Sequence, residues 1–226
     1  LTQSMADHAA EFGANFIKDT VVSLDLSSSP KKVGGKKGDY FAKAVIFAMG
    51  AEPRMLGIPG EGRMRGKGVS YCATCDADLF TELDVIVVGS GDAAIEEAEY
   101  LTRFAENVTV IVIHDEGKVD ANRVSAERAF NDPRLKWKWN SIVKSVNGDE
   151  LVESVTLKNI KTGEDEEFKT DGVFIFVGTQ PKTELLKDVA ELNPQGYVIT
   201  NEKMETNIEG VFAAGDCRDK YLRQVV

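Results

Sequence analysis

The sequence predicts an α/β protein, and two patterns carry that prediction. An apolar run, "DVIVV" (84–88), leads into glycines and a helix-like stretch and is followed by a second apolar run, "NVTVIVI" (107–113). Buried strands joined by a helix are typical of a parallel sheet. Two hairpin signals, "NGDE" and "KTGED", follow in residues 141–171 and predict an antiparallel meander inside the parallel pattern.

Shorter segments extend the pattern on both sides. Residues 4–13 carry apolar side chains at helical spacing, and residues 21–26 and 40–50 are predicted strands with a turn-rich stretch between them. Residues 135–140 alternate apolar and polar side chains, which predicts a half-buried strand. Residues 171–178 predict a buried strand, and two more short strands are expected near the end of the sequence.

Composition excludes several classes of function. The 226 residues are 42% apolar and carry a formal net charge of −10, so neither nucleic acid nor an anionic membrane surface is an expected partner. No apolar run approaches the roughly 20 residues that span a bilayer, and no signal peptide is visible at the start. Three cysteines cannot all pair within one chain, which favours a reducing, cytoplasmic location.

The stretch "YCATCDADLF" places Cys72 and Cys75 three positions apart and Asp76 directly after them. A structural zinc ion needs four ligands, and Cys217 and two histidines lie far away in sequence, so no metal is expected. A structural disulfide across so short a loop would stabilise the fold little. A redox-active dithiol fits best, because this spacing lowers the pKa of one thiol and the thiolate is the attacking species.

Gly89, Gly91 and Ala94 follow a predicted strand and open a predicted helix. In a dinucleotide site the first glycine permits the tight turn, the second lets the backbone approach a pyrophosphate, and a small third residue lets helix and strand pack closely. The alternative is a tight turn between strand and helix that binds nothing. The flanking strands favour the nucleotide-binding interpretation.

Five segments together resemble one family, the low-molecular-weight thioredoxin reductases, over essentially the whole chain. These segments are "CATCD", "VVGSGDAAIEEA", "AVIFAMGAEPRMLGIPGE", "VFIFVGTQPKTELL" and "IEGVFAAGDCRDKYLRQVV". The first looks like the redox motif of the family. The third and fourth look like the two crossings between a flavin domain and a nicotinamide domain, and the last looks like a flavin-binding motif.

The resemblance implies two FAD/NAD(P)-binding-type domains of three-layer ββα architecture. Residues 53–178 would form the nicotinamide-type domain that carries the dithiol. Residues 1–52 and 179–226 would form two parts of a discontinuous flavin domain, which is incomplete because the family's opening strand and glycine loop have no counterpart here. We therefore expect this chain alone to hold FAD weakly. The family also suggests a homodimer.

The resemblance further implies roles for individual residues. Cys75 would face the flavin and take its electrons, Cys72 would attack the disulfide of thioredoxin, and Asp76 would act as acid and base. The residues implied to lie against FAD belong to the last motif, and they are Gly215, Asp216, Arg223, Gln224 and Val225.

One segment departs from the family. Where its members carry His-Arg-Arg and a further arginine, this chain has His114, Asp115, Glu116 and Asp120. Acidic side chains repel the 2′-phosphate of NADPH. An acid at about the position of Asp115 instead suits the free ribose hydroxyl of NADH. The alternative is that these acids lie on a solvated loop. Neither NADPH nor NADH is therefore assigned as the electron donor, and ferredoxin or a deazaflavin is the alternative.

Other functions stay open from the sequence. The same fold and dithiol would serve a flavin subunit that reduces a peroxiredoxin or a glutaredoxin-like partner. A non-enzymatic redox sensor would bind its partner according to the state of the dithiol and would show no turnover. A plain nucleotide-binding module would keep its function after Cys72→Ser.

Overall fold

The computed structural model describes residues 2–220, which form two compact units. The inserted unit is Pro53–Gln180, and the outer unit contains the chain up to Glu52 and again from Pro181. The chain thus leaves the outer unit once and returns to it once. Strands and helices are mixed throughout, which confirms the predicted α/β class.

The described residues contain helices and many short strands. The α-helices are α1 (Thr2–Glu11), α2 (Glu61–Met64), α3 (Ala73–Asp76), α4 (Asp92–Leu101) and α5 (Arg123–Phe130). The strands are β1 (Val21–Asp25), β2 (Lys31–Gly35), β3 (Asp39–Ala42), β4 (Val45–Phe47), β5 (Ala51–Pro53), β6 (Val69–Ser70), β7 (Asp84–Val88), β8 (Asn107–Ile111), β9 (Leu135–Lys138), β10 (Ser141–Asn147), β11 (Ser154–Asn159), β12 (Asp165–Lys169), β13 (Gly172–Ile175), β14 (Thr179–Pro181) and β15 (Val211–Ala213). Short 3₁₀ turns cover Ala77–Phe80, Glu184–Leu186 and Gly215–Cys217.

A five-stranded sheet in the order β6-β13-β7-β8-β9 is the centre of the inserted unit, and all its pairings are parallel. The central strands β7, β8 and β13 consist mainly of valine and isoleucine and are buried almost throughout. Strands covered on both faces must be apolar along their whole length, which explains the continuous apolar runs. The predicted strand–helix–strand unit is therefore confirmed.

The two faces of this sheet pack against different layers. On one face, Val85, Val87 and Val110 share a core with residues of α4 such as Ile95 and Leu101. On the other face, alternate residues of the sheet pack against the antiparallel strands β10, β11 and β12. The result is the predicted three-layer ββα arrangement, with the meander as the outer β layer.

The outer unit has its own small core. Strands β1, β2 and β3 form an antiparallel sheet, and β4 pairs in parallel with β15. Leu26, Phe47, Leu186 and Val198 are among the buried residues of its core. Strands β5 and β14 pair with each other where the chain passes between the units.

Three local expectations were wrong. Residues 31–35 were predicted as part of a turn-rich stretch but form β2. The reason is that Gly34 lets the neighbouring strand β1 approach closely, since a Cβ at Gly34 would lie 2.2 Å from the hydroxyl of Ser23. The single strand predicted for residues 40–50 is two strands, because β3 pairs with β2 whereas β4 pairs with β15. Of the two last strands only β15 forms, and the other segment makes isolated bridges such as Leu192 with Val198.

Candidate active site

The cysteine pair lies where β6 ends and α3 begins. Cys72 flanks the start of α3, and Cys75 lies within its single turn. Their sulfur atoms are joined in a disulfide, and their Cα atoms are 5.3 Å apart. Cys75 is exposed and Cys72 is half-buried. The structure therefore shows the oxidised half of a dithiol couple at an accessible position.

Ser70 connects Asp76 to the first cysteine. The Ser70 hydroxyl donates to Oδ2 of Asp76 at 2.6 Å and accepts from the backbone N–H of Cys72 at 3.1 Å. Ser70 itself is buried at the end of β6. Ser70 thus holds the carboxyl group of Asp76, which is predicted to move protons, beside the dithiol. The sequence pattern did not single out Ser70.

A buried carboxylate supports the residue before the dithiol. Glu61 has no solvent exposure and accepts hydrogen bonds from the backbone N–H groups of Leu56 at 2.9 Å and Gly57 at 2.7 Å, and from the Tyr71 hydroxyl at 2.7 Å. Burial, followed by the bond to Glu61, raises the pKa of Tyr71. Glu61 thereby joins the connecting segment at residues 56–57 to the position directly before Cys72.

The predicted glycine turn comes together at the start of α4. Gly89 has φ +135°, and a Cβ there would lie 2.3 Å from the carbonyl oxygen of Phe176 and 3.1 Å from the Cβ of Ala94. A side chain at Gly91 would meet nothing within 4 Å. Gly89 and Ala94 therefore allow close packing, whereas Gly91 leaves the backbone open at the helix N-terminus, which is the geometry a phosphate group requires.

Side chains of the 114–122 segment hold this turn. Asp120 accepts from the Ser90 hydroxyl at 2.7 Å and lies 2.9 Å from Nε2 of His114. Asp92 accepts from the backbone N–H of Asn122 at 2.7 Å and from its side-chain amide at 2.8 Å. The bond with His114 and then that from Ser90 lower the pKa of Asp120, and the bonds from Asn122 lower that of Asp92. We call these contacts the turn clamp.

The remaining acids of this segment differ in their contacts. Asp115 forms an ion pair with Lys161, and Lys118 lies 3.9 Å away. The hydrogen bond from Lys161 is the main reason that the pKa of Asp115 is lowered. Glu116 is exposed. The segment that carries arginines in the predicted family is therefore acidic here, and part of its charge is balanced by lysines of the same unit.

The residues predicted to contact a flavin are described only in part. Gly215 has φ +75°, and a Cβ there would meet nothing within 4 Å. Asp216 follows it with a partly accessible carboxylate that pairs with Lys220 at 2.9 Å. An open backbone beside an accessible acceptor fits the polyhydroxyl chain of a flavin. Arg223, Gln224 and Val225 lie outside the described residues.

Residues 2–220 contain neither a metal-binding cluster nor a membrane-spanning helix. No group of three or more histidine, cysteine, aspartate or glutamate side chains is placed to hold a metal ion there. Within the same range no helix is long and apolar enough to cross a membrane.

Cys217 is free and buried, and its thiol donates to the carbonyl oxygen of Phe47 at 3.4 Å.

Three features near the dithiol and the turn escaped sequence reasoning. These are the bridging hydroxyl of Ser70, the buried carboxylate of Glu61 and the bond between Asp120 and Ser90. A serine or glutamate beside an apolar segment is a weak signal by itself. The partners of Glu61 and Asp120 lie up to 30 positions away, so their contacts depend on the fold.

Comparison with known proteins agrees with this geometry. Residues 6–226 match the family described as pyridine nucleotide-disulphide oxidoreductase. The chain is 48% identical to a thioredoxin reductase of Peptoclostridium acidaminophilum, covering 100% of this chain and 73% of that protein. It is 43% identical to a thioredoxin reductase of Bacillus subtilis, with 100% and 71% covered.

Solved structures lead to the same group. The structure of Lactococcus lactis thioredoxin reductase in its FR conformation superimposes with a TM-score of 0.82 at 38% identity, covering 98% of this chain and 73% of that one. The chain belongs to the pyridine nucleotide-disulphide oxidoreductase family and, within it, to the low-molecular-weight thioredoxin reductases that the sequence motifs indicate. Members of this family are flavin-dependent oxidoreductases.

Proposed function

We propose that this protein is a thioredoxin-disulfide reductase that works with bound FAD. The observation that carries the proposal is the disulfide-bonded pair Cys72–Cys75, placed directly before the glycine turn of a dinucleotide-type unit. Similarity to thioredoxin reductases over the whole chain supports the same function.

The residues of the site can carry out the exchange in balanced steps. Two electrons and two protons convert the Cys72–Cys75 disulfide into two thiols. Cys72, as thiolate, attacks one sulfur of the thioredoxin disulfide, which forms a mixed disulfide and releases one thioredoxin thiolate. Cys75 then attacks the sulfur of Cys72, which restores the internal disulfide and releases the second thiolate. Asp76 moves protons between these thiols and solvent.

We assign residues 1–52 and 179–226 to a flavin domain and residues 53–178 to a nicotinamide-type domain. Bound FAD supplies the two electrons that reduce the disulfide. Gly215 and Asp216 would hold its ribityl chain, through close backbone approach and hydrogen bonding respectively. We further propose a cytoplasmic location, because an exchanging dithiol and a free cysteine suit a reducing compartment. A homodimer is proposed only from the resemblance to the family.

The proposal for the electron donor rests on the charge of residues 115–120, which would face the ribose of a nucleotide bound at the glycine turn. Gly89, Gly91 and Ala94 would shape the pyrophosphate site, but Asp115, Glu116 and Asp120 would bring negative charge to the segment where the family resemblance puts the arginines that select a 2′-phosphate. We therefore propose a donor without that phosphate, either NADH or a non-nucleotide donor such as ferredoxin or a deazaflavin.

An anaerobic titration of the holoenzyme, assembled with enough FAD to fill the site, tests the donor. The flavin absorbance is followed as NADPH, NADH or dithiothreitol is added to separate samples. We expect no bleaching with micromolar NADPH and full bleaching with dithiothreitol, which acts through the dithiol. Bleaching by micromolar NADPH would show that the acidic segment does not exclude the 2′-phosphate.

Trapping of the mixed disulfide tests the function. Cys75→Ser leaves Cys72 as the only cysteine of the pair. It is mixed with a thioredoxin variant that keeps only its attacked cysteine, activated as the mixed disulfide with thionitrobenzoate. Cys72 is expected to displace thionitrobenzoate and form a stable covalent complex that a reducing agent dissolves, because neither protein keeps a second thiol to resolve it. Cys72→Ser is expected to give far less complex, and Cys217→Ser is the matched control with unchanged behaviour. Equal trapping by both single variants would contradict the assigned roles, and no trapping by either would contradict the proposed partner.

A further inference from the structure

Ser70 makes three contacts that meet at the dithiol. Its hydroxyl oxygen lies 2.6 Å from Oδ2 of Asp76, 3.1 Å from the backbone nitrogen of Cys72 and 3.3 Å from the backbone oxygen of Cys72. Ser70 is only 5% exposed, so water competes little for these contacts. Every hydrogen bond that its hydroxyl makes within residues 2–220 therefore goes to Cys72 or Asp76.

The Asp76 carboxyl group depends on this hydroxyl for its orientation. Within residues 2–220 no lysine, arginine or histidine pairs with the carboxyl group, and the Ser70 hydroxyl is its only hydrogen-bond partner. The bond engages Oδ2 and leaves Oδ1 without a hydrogen bond in the same range. A carboxyl group held through one oxygen keeps the other oxygen available for a proton.

The Ser70 hydroxyl can hold Asp76 in both of its protonation states, because a hydroxyl has one proton to donate and two lone pairs that accept. When the carboxyl group is ionised, the hydroxyl donates to Oδ2 and accepts from the Cys72 N–H. When Oδ2 carries a proton, it can donate that proton to the hydroxyl oxygen. The hydroxyl proton can then turn to the carbonyl oxygen of Cys72 at 3.3 Å. A backbone N–H could not serve both states, because it only donates.

We propose that Ser70 is a positioning residue for Asp76, which it holds in one orientation while the carboxyl group takes up a proton and releases it. The inference rests on the proposed function, since it assumes that the dithiol exchanges and that Asp76 carries its protons. The step that depends on it most is ring closure, in which Cys75 loses its proton and its sulfur attacks the sulfur of Cys72. Asp76, which directly follows Cys75, takes that proton.

Ring closure can be measured without thioredoxin. The holoenzyme is reduced with dithiothreitol, desalted anaerobically and mixed with one equivalent of dithiobis(nitrobenzoate). The Cys72 thiolate attacks one sulfur of this reagent, which forms a Cys72–thionitrobenzoate adduct and releases one thionitrobenzoate. Cys75 then attacks the Cys72 sulfur, which closes the disulfide and releases the second thionitrobenzoate. Acid quenching and mass spectrometry follow the loss of the adduct, so flavin absorbance does not interfere.

Ser70→Ala is expected to slow ring closure about tenfold at pH 7, as part of the roughly hundredfold or more that a positioned base contributes. The difference from wild type is expected to fall below about twofold at about pH 9.5, where a cysteine thiol ionises without a base. Ser154→Ala is the matched control, because Ser154 is similarly buried in the same unit and donates to the Glu167 carboxylate at 2.8 Å. It is expected to change the rate less than about twofold.

A double-mutant cycle separates positioning of Asp76 from support of the backbone. If Ser70 acts through Asp76, Ser70→Ala is expected to change the rate less than about twofold in a protein that already carries Asp76→Asn. A tenfold loss that persists in that background or at about pH 9.5 would show a purely structural role and overturn the proposal. Equal rates for Ser70→Ala and wild type at pH 7, or an equal loss in Ser154→Ala, would also overturn it.

Neighbouring ionisable side chains are unchanged in these variants, so a difference between the variants reports on Asp76. These side chains are Glu61, Arg65 and Tyr71 on the segments before the dithiol, Asp78 in the following 3₁₀ turn, and Asp92, Glu96, Glu97 and Glu99 on α4, which packs against α3.

Thioredoxin separates the inference from the proposed function. Normal ring closure in the wild type without reduction of thioredoxin would overturn the proposed function and leave the role of Ser70 standing. Reduction of thioredoxin by the wild type, together with normal ring closure in Ser70→Ala, would do the reverse. A wild type that never closes the ring would overturn both.

A second measurement keeps Ser70 intact. In oxidised protein with nitrogen-labelled cysteine, the Cys72 amide proton is expected to shift in NMR spectra as Asp76 titrates, because the oxygen that accepts from this amide also bonds with Asp76. Asp76→Asn is expected to abolish the shift. A Cys72 amide that does not respond to pH in the wild type, or that responds equally in Asp76→Asn, would overturn the proposal.

Discussion

The Glu61 side chain is fully buried. Its carboxylate oxygens accept hydrogen bonds from two separate segments, residues 56–57 and Tyr71. One oxygen accepts from the N–H of Leu56 and from the hydroxyl of Tyr71, and the other accepts from the N–H of Gly57. A buried charge is tolerated only when its hydrogen bonds are made. Removing the charge therefore disturbs the connecting segment and the residue before Cys72 together.

Glu61→Gln is expected to lower the free energy of unfolding by about 2 kcal/mol, because the amide nitrogen would face a backbone N–H or the phenol as a second donor. Tyr71→Phe removes only one of these bonds and is expected to cost about 1 kcal/mol. Urea denaturation measures both. A Glu61→Gln variant as stable as wild type would show that these bonds contribute no net stability.

At the scale of elements, the glycine turn combines two glycines with different tasks. Gly89 has no room for a side chain, because the carbonyl oxygen of Phe176 lies against it. Gly91 has open space and an ordinary extended backbone, with φ −80° and ψ 177°. Packing of the strand against the helix depends on the first glycine, and access for a ligand depends on the second.

Gly89→Ala is expected to destabilise the protein by at least about 3 kcal/mol, since it adds a clash with backbone to a strained φ. Gly91→Ala, its matched control, is expected to change stability by less than about 1 kcal/mol while it fills the space in front of the helix. Thermal melts compare the two variants. Similar melting temperatures for both would contradict this division of tasks.

The turn clamp makes the same element sensitive to acid. Asp92 and Asp120 have lowered pKa values in the folded protein, so their stabilising contribution is present above the unfolded value of about 3.9 and is lost as the pH falls through the lower folded value. The backbone N–H groups of Asp120 and Ala121 donate to the carbonyl oxygen of Ser90 at 2.9 Å and report on the clamp.

Hydrogen exchange of these two amides is expected to show constant protection from pH 7 to about 5 and a loss of protection below about 4, after correction for intrinsic rates. Asp120→Asn removes one of the two titrating groups, so it is expected to show lower protection at pH 7 and a smaller acid-induced loss. Protection that stays constant down to pH 3 in the wild type would contradict the role of the clamp.

At the scale of the whole molecule, much of the architecture follows from local pattern. The parallel sheet was predictable because strands buried on both faces must be apolar throughout, as in β7 and β8. The spacing of Cys72 and Cys75 predicted a redox-active dithiol because few other uses of that spacing fit a chain with one further cysteine. These signals are contained in short stretches of sequence.

The rest depends on contacts between distant parts of the chain. Strand β2 was missed because its glycines suggest a turn, whereas Gly34 serves close strand packing with Ser23. The packing of α4 against α3 was not predicted, because the two helices meet only in the folded unit. Sequence patterns show which residues are unusual, but they do not show which of them share hydrogen bonds.

Transfer of electrons from flavin to thioredoxin through the dithiol is the central claim, and a stoichiometric experiment tests it without assuming a natural donor. The flavin-loaded protein is reduced anaerobically with one equivalent of dithionite per flavin and mixed with excess oxidised thioredoxin, and the thiols of thioredoxin are counted. We predict two new thioredoxin thiols per flavin and reoxidation of the flavin. Cys72→Ser should give none, with the flavin still reduced. Flavin that stays reduced in the wild type, or equal thiol yield from Cys72→Ser, would contradict the account.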